Sequence, residues 1–361
     1  MYDDPLPSSI GLHREFWSWR EAFPGEPFWV HFQTIDVHGP GWFRQSPRFS
    51  GLYLDPGGRA EYVEWRDRVG FWGALDRFDE TGVDPLEFYD RTQRLYSEAM
   101  AQQDHEIGVL VERLKSSGAS DNTLIVIAAD HGEHESGLVM LEPFPPLGQH
   151  THLRPEHTRV PMIFVWPGRI PGGQRITQLV SMIDLLPTVL DLAGLPQPDV
   201  RQGQSLAPLM LGTEGWEARP VILDEFYVDA ITGVRRGWIE VVDGRWGASL
   251  EINPHIEFTW RTRGEYVTAQ RGERPGPLLL YDLWNDPHAL RSVHEERPDL
   301  VDKYTAFLEA QWEAHQSLAL LFSRPQEGPG LTTEQLETLR TLGYIRCDGI
   351  DVGTEGRVRL T

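Results

Sequence analysis

Apolar and polar positions along the chain follow two periodicities. Leu124–Ala129 is an unbroken apolar run rich in β-branched residues and bounded by polar residues. Such a run predicts a short strand buried on both faces, as at the centre of a parallel sheet. Pro27–Ile35 (PFWVHFQTI) and Val160–Trp166 (VPMIFVW) repeat the pattern, and Gly39-Pro40 and Pro167-Gly168 close them as turn-forming pairs do. The helical period appears at Leu95, Ala99, Ile107, Leu110, Val111 and Leu114, which predicts a long helix over Leu86–Ser117 ended by Gly118. A second helix is expected over Leu179–Gly194, with Pro187 in its first turn and Gly194 just past its end. Further helices are expected within His13–Ala22, Pro298–Leu318 and Thr332–Leu342. Gly41–Pro85 has no clear period and reads as a long surface excursion. Its aromatics Trp42, Phe43, Trp65, Phe71 and Trp72 either pack it onto the body or line a pocket. Val221–Phe226 reads as one further strand, and Gly237–Asp286 as short antiparallel strands between Gly and Pro turns.

Strand and helix alternate, so the fold class is α/β. The expected division is an α/β body over 1–212, a C-terminal α+β subdomain with a small antiparallel sheet over 213–322, and a tail over 323–361.

Two of the predicted strands end in the same chemistry. Leu124–Ala129 runs into Asp130-His131-Gly132, and Pro27–Ile35 runs into Asp36-Val37-His38-Gly39-Pro40. Ligands of open α/β sheets bind at the carboxyl ends of strands. A carboxylate and an imidazole side by side can share one cation. The plainer alternative is that Asp130 caps a turn and His131 and His38 are ordinary surface or turn residues. A His-rich loop follows, with His134, His150, His152 and His157. His150 and His152 alternate and would share a face of an extended segment; His134 and His157 read as solvated loop residues.

Composition narrows the partners. The 361 residues carry a formal net charge of −21 with 40% hydrophobic residues. That is enough for a sizeable core, and it disfavours sequence-independent binding to nucleic acid or an anionic membrane. An anionic substrate stays open, because a bound cation reverses the local field. The one cysteine, Cys347, forms no intramolecular disulfide. No apolar run is long enough to span a bilayer. MYDDPLPSSIGLHREFW has neither the basic nor the apolar region of a signal peptide. Compartment stays open between periplasmic or extracellular, if a leader precedes this start, and cytoplasmic. Oligomeric state is not legible.

Taken together, the motifs resemble the sulfatase family of the alkaline-phosphatase superfamily. The resemblance rests on PFWVHFQTIDVHGP, on YSEAMAQQDHEIGVLVERLKSSGASDNTLIVIAADHGE, and on HTRVPMIFVWPGRIPGG. It continues through LVSMIDLLPTVLDLAGLP, LLLYDLWNDPHALRSVHEERPDL and the closing LRTLGYI. The order and spacing of these segments carry it. It implies a three-layer α/β sandwich, truncated at the N-terminus, with a small C-terminal α+β subdomain. It implies one divalent cation, calcium by family, with manganese or zinc suggested by an imidazole at the His131 position. Asp130 and His131 would be metal ligands. His38 would contact the sulfate and protonate the leaving oxygen, His150 would be a second catalytic residue, and His152 would contact substrate. Arg159 would be mainly structural.

One departure from the family is large. Sulfatases begin with a strand ending in an Asp-Asp pair, followed by a Cys-x-Pro-x-Arg or Ser-x-Ala-x-Arg segment whose Cys or Ser becomes formylglycine. Cys347 has no Pro or Arg at those offsets, Ser46-Pro47-Arg48 has the wrong spacing, and Asp3-Asp4 has no strand before it. The expectation is a sulfuric ester hydrolase, acting on a small sulfate ester or glycan, in a truncated or incomplete form. The alternatives are a phosphodiester or phosphonate monoester hydrolase of the same superfamily, or a non-catalytic binding protein.

Overall fold

The computed structural model describes residues 9–38, 46–69, 78, 80–132, 155–199, 201–228, 235–252, 257–262, 265–270, 278–322, 350–352 and 358–360. The chain divides into two compact units, Met1–Val221 with Ile256–Arg271, and Ile222–His255 with Gly272–Thr361.

The first unit is built on a long helix. α1 covers Ser9–Ala22, α2 Pro56–Val69 and α3 Pro85–Ser116. α3 starts where the sequence expects, because the Asp84 side chain accepts the Leu86 N–H at 2.8 Å and Pro85 fills a position that needs no donor. It ends at Gly118, whose φ of 72° suits a residue without Cβ. One face of α3 buries Phe88, Leu95 and Ala99 against Tyr62 and Val69 of α2. Farther along, Leu114 meets Phe16 and Trp17 of α1 in a cluster that also takes in Phe28, Phe32, Leu110 and Ile125.

Between these clusters α3 carries a fully buried acid. One carboxylate oxygen of Glu98 accepts the backbone N–H groups of Gly51, Tyr53 and Leu54 at 3.0, 3.1 and 3.1 Å, and the other pairs with Arg59. One turn on, Gln102 Oε1 accepts the Ser46 N–H at 2.7 Å. The segment 46–55 is thus held by side chains of α3 rather than by its own secondary structure. A buried carboxylate is tolerable because its oxygens are matched by donors.

β1 (Ile125–Ala128) follows α3, and β2 (Met162–Val165) lies beside it in antiparallel register, Ala128 opposite Met162 and Ile125 opposite Val165. This corrects the expected parallel pairing. It also corrects the expected burial on both faces: β1 is partly buried with Ala128 exposed, and Ile163 and Val165 of β2 are 49% and 40% exposed. Residues 27–35 form no strand, although Phe28 and Phe32 do turn inward. An apolar run becomes a strand only where a neighbour completes its hydrogen bonds. α2 lies inside the stretch expected to be irregular. Asp55 Oδ1 accepts from Gly57 and Gly58 and starts it, with Pro56 as first residue.

α4 (Pro155–Thr158), α5 (Leu185–Leu192) and α6 (Ala207–Leu211) follow in the first unit. Pro187 falls in the first turn of α5, and Gly194 follows its end with φ 68°. Asp184, in front of α5, is 1% exposed and bonds Ser181, Gln204 and Arg219.

The second unit contains the antiparallel sheet that the turn-rich sequence predicts. β3 (Val221–Val228), β4 (Arg235–Asp243), β5 (Trp246–Ile252) and β8 (Leu279–Asp282) pair in that order, and β6 (Glu257–Thr262) pairs with β7 (Glu265–Gln270) as a hairpin grouped with the first unit. α7 (Pro298–Phe322) lays Tyr304 and Leu308 on Ile239, Val241, Ala248, Leu250 and Leu280. Full burial of an aliphatic side chain contributes about 1.5–3 kcal/mol, and here the alternating positions of each strand supply it. Among the described residues no helix is long and apolar enough to cross a membrane. The helix expected over 332–342 lies outside the described residues.

Candidate functional site

Two chain segments meet at the carboxyl end of β1. The first is the turn over residues 35–38, closed by the His38 N–H donating to the Ile35 carbonyl at 3.1 Å. It leaves the His38 ring partly buried, with Nε2 screened from solvent. The second is Asp130-His131-Gly132, where β1 runs out. The His38 and His131 rings stand 6.3 Å apart between centroids at an interplanar angle of 75°, edge to face. Residues 93 positions apart in the chain are brought together as the strand-end motifs predict.

The tautomer of His131 follows from its contacts. Nδ1 lies 2.8 Å from the Gly132 carbonyl oxygen; a carbonyl only accepts, so Nδ1 carries the hydrogen and Nε2 is the acceptor nitrogen of the neutral ring. Nε2 stands 4.0 Å from Asp130 Oδ2, while Asp130 Oδ1 accepts the His131 N–H at 3.0 Å. The Asp130 side chain is 63% exposed and that of His131 26%.

A glycine is required after His131. The Gly132 N–H donates to the His157 carbonyl at 2.7 Å, and a Cβ at Gly132 would fall 1.9 Å from the Glu156 backbone oxygen. Only a residue without a side chain lets these two backbones approach so closely. His157, expected to be solvated, is instead 9% exposed. It serves the site through its backbone, holding the strip that carries His131.

The pair formed by Asp130 and His131 fits a cation in donor type and spacing. Two donors on a tetrahedral zinc lie about 3.4 Å apart, so the 4.0 Å between Nε2 and Oδ2 suits the longer bonds of a calcium-sized ion better. In number the set is incomplete. Among the described residues no three His, Cys, Asp or Glu side chains cluster as a metal site. Asp36 is not gathered with them into such a cluster; its carboxylate oxygens accept from Ser9 at the start of α1. This changes the picture of two strand ends each delivering a carboxylate and an imidazole: both imidazoles reach the site, one carboxylate does not. His134, His150 and His152 lie outside the described residues.

The sequence comparisons place the chain in a family. Residues 16–195 match the sulfatase family model, and residues 150–246 match the model for the C-terminal part of N-sulphoglucosamine sulphohydrolase. The chain belongs to the sulfatase family. Arylsulfatase K of Xenopus laevis is 28% identical over 222 residues, covering 59% of this chain and 36% of that protein. Human arylsulfatase A is 28% identical over 237 residues, covering 61% of this chain and 44% of that protein. The chain therefore spans well under half the length of these curated relatives. Among solved structures, the phosphonate monoester hydrolase of Agrobacterium radiobacter matches with a TM-score of 0.60 at 20% identity, over 86% of this chain and 62% of that one. The phosphonate monoester hydrolase of Silicibacter pomeroyi matches with a TM-score of 0.56 at 17% identity, over 98% of this chain and 64% of that one. These likenesses establish the sulfatase-like α/β fold. His38, Asp130 and His131 all fall inside the sulfatase match.

Two functional contacts were not found by reading the sulfatase-type motifs. The Ser9–Asp36 bonds join residues 27 apart through a helix start that the helix expected within His13–Ala22 leaves out. The close approach at Gly132 is signalled only by the glycine itself.

Proposed function

We propose that this sulfatase-family chain carries the acid and one edge of the cation site of a metal-assisted sulfuric ester hydrolase. The observation that supports the reading most is the facing pair His38 and His131, with Asp130 beside them, at the carboxyl end of β1 within the sulfatase match. The substrate class is a sulfate ester, small or part of a glycan. In this reading a protonated His38 would give its proton to the bridging oxygen as the sulfur–oxygen bond breaks, so that the alcohol leaves neutral. General acid catalysis of this kind contributes roughly 10²- to 10⁴-fold. Asp130 and His131 would hold part of a divalent cation's shell, calcium by family, manganese or zinc by the preference of an imidazole donor. When bound, such an ion supplies charge stabilisation to the sulfuryl oxygens. The bond from His131 Nδ1 to the Gly132 carbonyl keeps Nε2 turned to that role, as outer-shell partners of ligating histidines do. His150 and His152 belong to the same proposal through the family resemblance, as a second catalytic residue and a substrate contact.

The 361 residues contain no Cys-x-Pro-x-Arg or Ser-x-Ala-x-Arg segment, so binding tests the reading more directly than turnover. Manganese binding to the purified chain, followed by the loss of free-ion EPR signal, is expected to weaken at least tenfold in Asp130→Ala and in His131→Ala. Unchanged affinity in both variants sinks the proposal. The same chain alone is expected to hydrolyse an aryl sulfate at or near the background rate.

A second reading keeps the superfamily and exchanges sulfate for a phosphonate or phosphodiester. The imidazole of His131 favours it. Paired binding of a sulfate and a phosphonate monoester with the same leaving group, in the presence of manganese, separates the two.

A further inference from the structure

We infer that Asp36 is a positioning residue for His38: by clamping Ser9 at the start of α1, its carboxylate fixes the turn that presents the His38 ring to His131. The catalytic meaning of that role rests on the function proposed above. The clamp itself rests on the contacts alone.

Asp36 Oδ2 accepts the Ser9 N–H at 2.9 Å and Oδ1 accepts the Ser9 hydroxyl at 3.3 Å. Both oxygens are spent on one residue, so the plane of the carboxylate is fixed as well as its location. Ser9 is fully buried, and the first amide of a helix has no partner within the helix. Asp36 therefore supplies an acceptor that the fold needs at that point. α1 in turn is anchored by Phe16 and Trp17 to Leu110 and Leu114 of α3, and the same cluster includes Ile125, the first residue of β1. The other end of β1 delivers Asp130 and His131. A closed circuit results, from β1 through the aromatic cluster to α1, through Ser9 to Asp36, and two residues on to His38, whose ring faces His131. Within it the turn itself is held by one backbone bond, from His38 to Ile35. Opening the circuit at Asp36 removes the tie that runs from the turn to α1 and leaves the packing of Val37 on the α2–α3 cluster.

The test uses the full chain labelled with ¹³C at histidine Cε1, with the His38 and His131 signals assigned by their loss in His38→Gln and His131→Gln. The ring-to-ring cross-peak of the pair is the readout. Asp36→Ala is expected to abolish it and shift both signals, and Asp36→Asn, which keeps an acceptor for Ser9, to retain it at reduced intensity. Leu308→Ala, a core truncation in the second unit, is expected to lower Tm without moving either signal. A folded Asp36→Ala variant with the cross-peak intact overturns the inference, as does equal disturbance of the pair by Leu308→Ala. If Asp36→Ala fails to fold, Ser9→Ala takes its place: it removes one of the two donors and should shift His38 in the same direction by less, and no shift overturns the inference. Manganese binding on the same samples separates the two ideas. Loss of the cross-peak in Asp36→Ala, with no binding by the unmodified chain, defeats the hydrolase reading and supports the clamp. Binding retained with the cross-peak unmoved in Asp36→Ala defeats the clamp alone.

Discussion

At the scale of single residues, the second unit holds two acids whose protons are kept by burial. Glu240 is 4% exposed, and its carboxyl is pushed from 4.5 to about 8, mainly by desolvation and against the opposing hydrogen bond with Ser249. Glu225 is raised by burial to about 7. The sign follows from proton counting. Below the unfolded-state value near 4.5 both states are protonated and nothing changes. Above it the unfolded chain releases the proton that the folded chain keeps, so folding stability falls as pH rises. For Glu240 the fall continues to about pH 8, at up to about 1.4 kcal/mol per pH unit. Between pH 7 and 8 Glu225 is already more than half titrated, so the larger share of the slope from these two belongs to Glu240. Glu240→Gln, which keeps a polar partner for Ser249, is expected to flatten the dependence of the urea midpoint on pH between 7 and 8. An unchanged slope would place the Glu240 carboxyl in water.

At the scale of elements, α3 organises the first unit, and Glu98 shows how. Glu98→Ala removes the acceptor of three backbone N–H groups and the partner of Arg59. Breaking a buried pair in this way costs about 3–5 kcal/mol. The urea midpoint should fall accordingly, with protease sensitivity rising first within 46–55. Glu98→Gln, which retains an acceptor oxygen, should lose less. This helix was legible in the chain because Leu95, Ala99, Leu110 and Leu114 repeat at its period. The positions of β1 and β2 were legible from their apolar runs. Their pairing was not, because it is set by contact between segments distant in sequence, and residues 27–35 show the same limit from the other side. α2 was missed although its start signal was present: Asp55-Pro56 is a capping acid followed by a first-turn proline, but the glycines after it read as a turn. The site was legible as far as its side chains announce themselves, in Asp130, His131 and His38. It was hidden where a backbone amide or a missing side chain does the holding, at Ser9 and at Gly132.

At the scale of the whole molecule, charge and apolar surface oppose each other. Ile163, Val165 and Trp29 are 49%, 40% and 80% exposed, and among the described residues β1 and β2 pair only with each other. Open strand edges with apolar neighbours invite pairing with another chain. A net charge of −21 resists it. Salt weakens only the second effect, since the screening length falls from about 30 Å at roughly 0.01 M to about 3 Å at roughly 1 M. Sedimentation velocity is expected to show association that grows with salt and is suppressed in Ile163→Lys; salt-independent monomers would argue against it. The antiparallel register of β1 and β2 has one more consequence. Because Ala128 stands opposite Met162, the polypeptide departs from this ladder and rejoins it at a single rim. Whatever joins the two is a cassette hung from fixed posts. Lengthening it twofold costs only about 0.6 kcal/mol in closure entropy, so new specificity can be spliced in there while the posts, and the histidine beside them, stay put.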